Sequence, residues 1–248
     1  MRIWDTYESR MNVRGNSKRN SVKRQELHTI QRHLPDNLSY TDCTIDGIPQ
    51  TVAIINSDNL NEKKILSLPG EDIRHGGLVE WMDQHWLVVE RDANTTLYTR
   101  AKLLQCNYLL KWVTGESGNY EIHEQWCAVE DGTKYLTGEL EDRQFIVTRG
   151  DSRIAVTIAR NEYTGKLNRE NRFIIDDPLS TMPLAYQLTK PLKLGMTFGE
   201  DGVYKFVLQE VTATANDNFE LQVADYYKFF PKEPEPDDTP PTKREVWL

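Results

Sequence analysis

The chain has 248 residues, of which 38% are hydrophobic and 27% charged, a globular composition long enough for one large domain or two small ones with cores of their own. No apolar run approaches the roughly 20 residues of a bilayer span, the N-terminus lacks the apolar centre of a signal peptide, and Cys43, Cys106 and Cys127 are too few and scattered for a disulfide framework; the expectation is a protein made and used without secretion, carrying free buried thiols. The formal net charge of −8 is uneven: residues 1–33 hold eight Lys/Arg against three Asp/Glu, and the remainder 22 against 35, so the body is too acidic to wrap DNA, whose phosphates demand cations.

The first 37 residues read as a helical basic arm. In IWDTYESRMNV, Ile3, Tyr7 and Met11 recur at helical spacing, and Gly15 is a natural stop. Ser17 or Asn20 can cap a second helix with an apolar edge of Val22, Leu27, Ile30 and Leu34, ended by Pro35. The stripe is too narrow to be a core, so this helix is expected to pack on a partner or lie loosely on the body.

After Pro35 the period becomes two. In LSYTDCTIDGIPQTVAII, Asp46-Gly47 between β-prone runs is a hairpin signal, and KKILSLP is a strand halted by Pro69-Gly70. LVEWM and HWLVVE follow as two strands with the bend near Asp83-Gln84, and TTLYTRAKLLQCNYLLKWV as one or two more. Five or six short strands in this span predict a small barrel over residues 38–114, with Trp81 and Trp86 as core or rim. Gly and Ser at residues 115–118 mark a break. A second β-rich module, barrel or sandwich, is expected over residues 119–229 from RQFIVTR, RIAVTIAR, NRFIID, AYQLTK, GVYKFVLQEV and FELQVADYYKFF. Residues 230–248 hold five of the eleven prolines and read as an extended, mobile tail.

Motifs for chemistry are sparse. His75, His85, His123, Cys106 and Cys127 lack paired metal-ligand spacing, and no phosphate-binding glycine loop or nucleophile elbow is present. Cys106 or Cys127 with His123 is formally a thiol–imidazole pair. Glu139/Glu141, Asp176/Asp177, Asp201, and Asp217 near Glu220 are acidic neighbours, but neighbours on a strand face opposite ways. TANDNFE could offer oxygens to Ca²⁺, though it lacks EF-hand spacing and reads better as a turn. No catalytic, cofactor or metal site is expected. Trp81, Trp86 and Trp112 as a carbohydrate-stacking platform is the remote alternative.

IRHGGLVEWMDQHWLVVERD followed by YTRAKLLQCNYLLKW resembles the neck and head–tail connector proteins of long-tailed bacteriophages of Gram-positive hosts, of the head-closure or stopper type. Gly76-Gly77, Trp86-Leu87-Val88 and Cys106-Asn107 with Trp112 carry the likeness, which extends as a style of sequence over residues 38–228. The chain departs from a minimal stopper in its arm, its second β module and its tail. The resemblance implies a non-enzymatic virion protein, assembled in the bacterial cytoplasm. Its copies would form a homo-oligomeric ring at the neck, against the portal or adaptor and the tail components, with DNA in the channel bound without specificity and no membrane. Arg10, Arg14, Lys18, Arg19, Lys23 and Arg24 are the expected partner-binding residues. Asn56, Asp58, Asn59, Asn61 and Glu62, within a polar stretch at residues 55–64, are the expected channel or docking loop. A capsid-shell or tail-end component is the structural alternative.

Overall fold

The computed structural model describes residues 17–92, 97–116, 118–131, 152–177, 179–181, 183–194 and 196–231, together with Trp4 and Tyr7. The first element is α1, Lys18–His33. Ser17 caps it: its hydroxyl accepts from the Asn20 amide at 3.2 Å, which satisfies one of the donors a helix start leaves open. None of its residues is buried, and Leu27, Ile30 and Leu34 on its apolar edge are only half-buried.

Six strands then close into a barrel: β1 (Tyr40–Ile45), β2 (Ile48–Asn56), β3 (Glu62–Leu66), β4 (Leu78–Trp81), β5 (Gln84–Arg91) and β6 (Arg100–Gln105), in the order β1-β2-β3-β6-β5-β4. Ile45 pairs with Val79 to complete the circle. Alternate residues point inward: Ile45, Val52, Ile54, Ile65, Val79, Trp86, Val88 and Leu103 form one core. Closure leaves no open sheet edge, which removes the usual template for unwanted pairing. Asp46 and Gly47 sit at φ 50° and 78°, the two positive values that a tight hairpin turn requires. The β4–β5 bend falls at Met82-Asp83, one residue before its expected place, because Trp81 pairs with Gln84. Both turn residues have positive φ, 51° and 57°, an unusual state for a methionine.

Beyond the barrel lie β7 (Tyr108–Glu116), β8 (Asn119–Asp131), β9 (Arg153–Ala159), α2 (Glu162–Lys166), β10 (Arg172–Ile174), β11 (Ala185–Leu192), β12 (Thr197–Phe198), β13 (Asp201–Val211) and α3 (Tyr226–Phe229). Their sheet runs β10-β11-β13-β9-β8-β7, with β12 paired to β13. It curls until its edge strands meet, and the Tyr108 hydroxyl donates to the Ile174 carbonyl at 3.0 Å. Leu110, Trp112, Cys127, Val156, Ile158, Phe173, Leu188, Phe206 and Leu208 fill the inside. The fold is thus mainly β, two barrel-like sheets behind an N-terminal helix.

Three segments differ from the sequence expectation. The break at residues 115–118 joins β7 to β8 as one hairpin, with Glu116 opposite Asn119. A Cβ on Gly115 would lie 2.0 Å from the Asn119 carbonyl oxygen, so the glycine serves a close backbone approach, not a linker. The chain changes sheets instead at Cys106-Asn107: the Cys106 amide donates to His85 of β5, and the Asn107 amide to Cys127 of β8. Finally, FELQVADYYKFF is turns and the short α3, not a strand. The Asn218 side chain accepts from the Leu221 amide, and Gln222 and Asp225 take positive φ, which curls the chain. RQFIVTR, the first helix of the arm apart from Trp4 and Tyr7, and the tail beyond Pro231 lie outside the described residues.

The two sheets share an apolar seam of Leu87, Val89, Cys106 and Val203, flanked by Leu78, Leu104, Trp126, Ala159 and Met196. The backbones touch there too. Gly202 donates its amide to the His75 carbonyl at 3.1 Å, and a Cβ on Gly76 would lie 2.1 Å from the Gly202 oxygen. Gly76 of the Gly76-Gly77 pair therefore holds the sheets in register with each other.

Candidate functional site

The expected partner-binding cations divide in two. Arg10 and Arg14 lie outside the described residues. Lys18, Arg19, Lys23 and Arg24 all stand exposed on α1. At 3.6 residues per turn, Arg19, Lys23, Leu27, Ile30 and Leu34 share one face: cations over its first half, apolar side chains over its second. Arg32 adds a further cation, and Glu26 is the only acid in the helix.

The expected docking loop is shorter than its sequence suggests. Residues 55 and 56 belong to β2 and 62–64 to β3, with Ile55 opposite Lys64 and Asn56 opposite Lys63, so the connection is residues 57–61. Side chains stiffen it. Asn56 accepts from the Lys63 ammonium at 2.8 Å, the Asn59 amide donates to Glu62 at 3.1 Å, and Glu62 pairs with Lys102 at 2.8 Å. The Asn61 carbonyl accepts from the Gln105 amide, while Asp58 is exposed beside Leu60 at the tip. Beneath lies an open cleft of ≈ 570 Å³. Lys64, Arg91, Arg100 and Lys102 line it together with Asp58, Glu62, Glu90 and Asp92, and Arg100 pairs with Asp92 and Lys102 with Glu62, so it presents mixed charge and no concentrated field of either sign.

A second groove, ≈ 580 Å³, crosses the outer barrel wall. The registers Thr44↔Pro49, Thr44↔Glu80 and Glu80↔His85 place one row of side chains across β2, β1, β4 and β5. Thr44 donates to Glu80 at 3.0 Å, and Glu80 lies 3.9 Å from His85. Asp42, Glu80 and Asp83 line this groove with Trp81 and Met82, and no Lys or Arg does. Met82 is 72% exposed. His85 closes one end by stacking on Trp126 of the second sheet, ring centroids 4.0 Å apart.

The tryptophans do not form a carbohydrate platform. Trp86 and Trp112 are 2% and 3% exposed, and the Trp81 and Trp86 planes are inclined at 52°. A sugar needs an open face. The three thiols are free and buried, as expected: burial pushes Cys43 up to about 11 and Cys106 up to about 12, and raises Cys127 as well. Burial lowers His123, which stacks on Tyr163. A nucleophilic pair needs the opposite, a depressed thiol beside a cationic imidazole.

Acidic neighbours are used locally. Asp176 accepts from the Asp177 and Leu184 amides, and Asp201 sits 3.7 Å from Arg74. Asp217 takes both guanidinium nitrogens of Arg172 at 3.0 Å, so TANDNFE is a clasped turn. Glu139 and Glu141 lie outside the described residues. Among the described residues no cluster of His, Cys, Asp and Glu is arranged to hold a metal ion, and no helix is long and apolar enough to cross a membrane.

Residues 9–105 match the family model described as the YomX N-terminal domain, a phage-derived family of Bacillus phage type, which is consistent with a phage protein. The match spans α1 and the whole barrel and ends with β6, at the point where the chain changes sheets. No curated protein and no solved structure matches the chain.

Proposed function

We propose that this chain is a structural protein of a long-tailed phage particle, whose copies form a ring at the neck between portal and tail and help to retain packaged DNA. The observation that carries the reading is a closed barrel with no free sheet edge, joined to a basic helix that buries none of its residues. Such a helix gains little from its own chain, since helix stability in proteins comes mainly from packing an amphipathic face; it is built to be covered by something else. The likeness of that same helix-plus-barrel unit to a phage-derived family supports the setting. The acidic body suits a wall that DNA passes without adhering, because its 22 Lys/Arg are outnumbered by 35 Asp/Glu and its net charge repels phosphate. The portal or an adaptor, and tail components, are the proposed partners, and the hairpin tip at Asp58–Leu60 is the proposed channel or docking element.

Gold-labelled antibody imaging of intact particles, with copy number from quantitative mass spectrometry, tests this. Label at a single vertex, in ring-like copy number, is the expected result. Label across the shell would make the protein a capsid component, label at the far end a tail-tip component, and unlabelled particles would remove a virion role.

A further inference from the structure

We propose that the acidic groove on the outer barrel wall receives helix α1 of a neighbouring copy of this chain. The inference rests on the reading of the protein as a ring component, and it names the contact that joins the copies. Charge complementarity argues for the occupant. The groove is lined by Asp42, Glu80 and Asp83 with no Lys or Arg, whereas α1 carries Lys18, Arg19, Lys23, Arg24 and Arg32 against Glu26 alone.

The two surfaces also agree in pattern. On one face of α1, Arg19 and Lys23 precede Leu27, Ile30 and Leu34. In the groove, carboxylates flank half-buried Trp81 and exposed Met82. Both need a mixed partner, apolar over part of its length and oppositely charged over the rest.

Size agrees as well. The row Pro49–Thr44–Glu80–His85 spans three strand intervals, about 14 Å at the usual strand spacing. The face from Arg19 to Leu34 is about 22 Å long at 1.5 Å per residue, enough to cross the row and reach the His85–Trp126 stack at its end. Within one chain Arg19 and Lys23 are exposed and Leu27, Ile30 and Leu34 only half-buried, which leaves this face free to meet a second copy. A helix of one copy in a groove of the next is a head-to-tail contact, the kind that closes into a ring when its rotation permits.

The turn beside the groove supports a contact role for Met82. Methionine at φ 51° with 72% of its surface in water is unfavourable on both counts. Asn tolerates the left-handed conformation far better. A methionine held there offers an adaptable apolar contact.

The test is sedimentation velocity of the full chain across a concentration series, at low and at moderate salt. The wild-type chain is expected to self-associate, less strongly as salt screens the exposed charges. Glu80→Lys with Asp83→Lys, and separately Arg19→Glu with Lys23→Glu, should each weaken association by roughly tenfold or more. The chain carrying all four changes should recover most of it, since the charges again oppose. Met82→Asn separates docking from folding: thermal stability should hold or rise while association falls several-fold. A monomeric wild type, reversals that assemble like wild type, a four-fold variant without recovery, or Met82→Asn associating undiminished would each overturn the groove assignment. Should the reversals assemble normally while antibody still marks one particle vertex, the groove fails alone and the neck reading stands. Unlabelled particles with a salt-sensitive, charge-swappable association would sink the neck reading and keep the contact.

Discussion

Removing the Asp217 carboxylate should destabilise the second sheet more than almost any other polar change. This side chain is fully buried, and Arg172 is 11% exposed. Asp217 accepts both Arg172 nitrogens at 3.0 Å, the Thr214 amide at 2.7 Å and the Asp225 amide at 2.8 Å. Arg172 also holds Asp225 at 3.0 Å and the Thr212 carbonyl at 3.0 Å. One guanidinium on β10 thus fastens the chain that leaves β13. Breaking such a pair from one side leaves a buried cation short of its partner, at a cost of about 3–5 kcal/mol. Asp217→Ala should lose that much in urea denaturation, with an unchanged dependence on denaturant. Asp217→Asn keeps an acceptor and the shape, and should lose less. The acid limb gives a second reading. Burial alone would raise this carboxyl, but the Asp225 and Thr214 amides and Arg172 outweigh it and hold it below the usual range. A folded value below the unfolded one, near 3.9, means the contribution is fully present above that pH and is lost as pH falls through the folded value. Asp217→Asn should therefore flatten the stability curve below about pH 4. A loss under about 1 kcal/mol for Asp217→Ala, or an unchanged acid limb in Asp217→Asn, would refute the clasp.

Four further outcomes are expected. Gly76→Ala forces a Cβ to 2.1 Å from the Gly202 oxygen at φ 81°; thermal melts should show a loss above about 2 kcal/mol, and a neutral result would mean the sheets are not held by this approach. Trp86→Ala empties the centre of the barrel and should cost about 3–5 kcal/mol by denaturant titration, whereas a loss below about 1 would place the ring on the surface. Native protein at pH 8 should react with a thiol reagent only on the timescale of unfolding, because burial lifts Cys43 to about 11 and Cys106 to about 12 and only the thiolate is nucleophilic; rapid stoichiometric labelling would contradict that. Deleting residues 1–33 should leave the cooperative melt of the β body within about 0.5 kcal/mol, since no residue of α1 is fully buried, and a collapse of the melt would show the arm to be part of the core.

Much of the barrel was legible because its signals are local. Asp46-Gly47 specifies its turn through backbone sterics alone, and the β-prone runs in QTVAI and HWLVVE mark strands even though both are buried without a break over their apolar residues. Ser17 announces its cap for the same reason. The second sheet was harder, and β8 shows why. NYEIHEQWCAVED mixes charged and apolar residues, since one strand partners β7, β9 and the barrel seam through Trp126 at once; its pattern reflects three neighbours, and periodicity assumes one. Residues 115–118 misled in a related way: Gly-Ser composition marks a linker and a tight hairpin equally well, and only pairing between Glu116 and Asn119 decides.

The site was legible by halves, and the halves differ physically. The cations of α1 form a run in sequence, because successive turns of one helix bring residues three and four apart onto one face. The groove that we assign to them does not. Asp42, Glu80, Trp81 and Met82 come from β1 and from the β4–β5 hairpin, and only the closure of β4 on β1 makes them neighbours. GGLVEWMDQHWLVVERD shows the Trp and Asp residues plainly, yet it cannot say which ring turns inward. Register decides that: Trp86 and Val79, opposite one another, fill the core, while Glu80 and His85, one step along, face outward. A slip of one residue would exchange these two rows. The hairpin that seals the barrel is therefore the same element that presents the groove, so a substitution that shifts the β4–β5 register should abolish folding and association together, whereas Met82→Asn, at the turn and outside the pairing, should separate them.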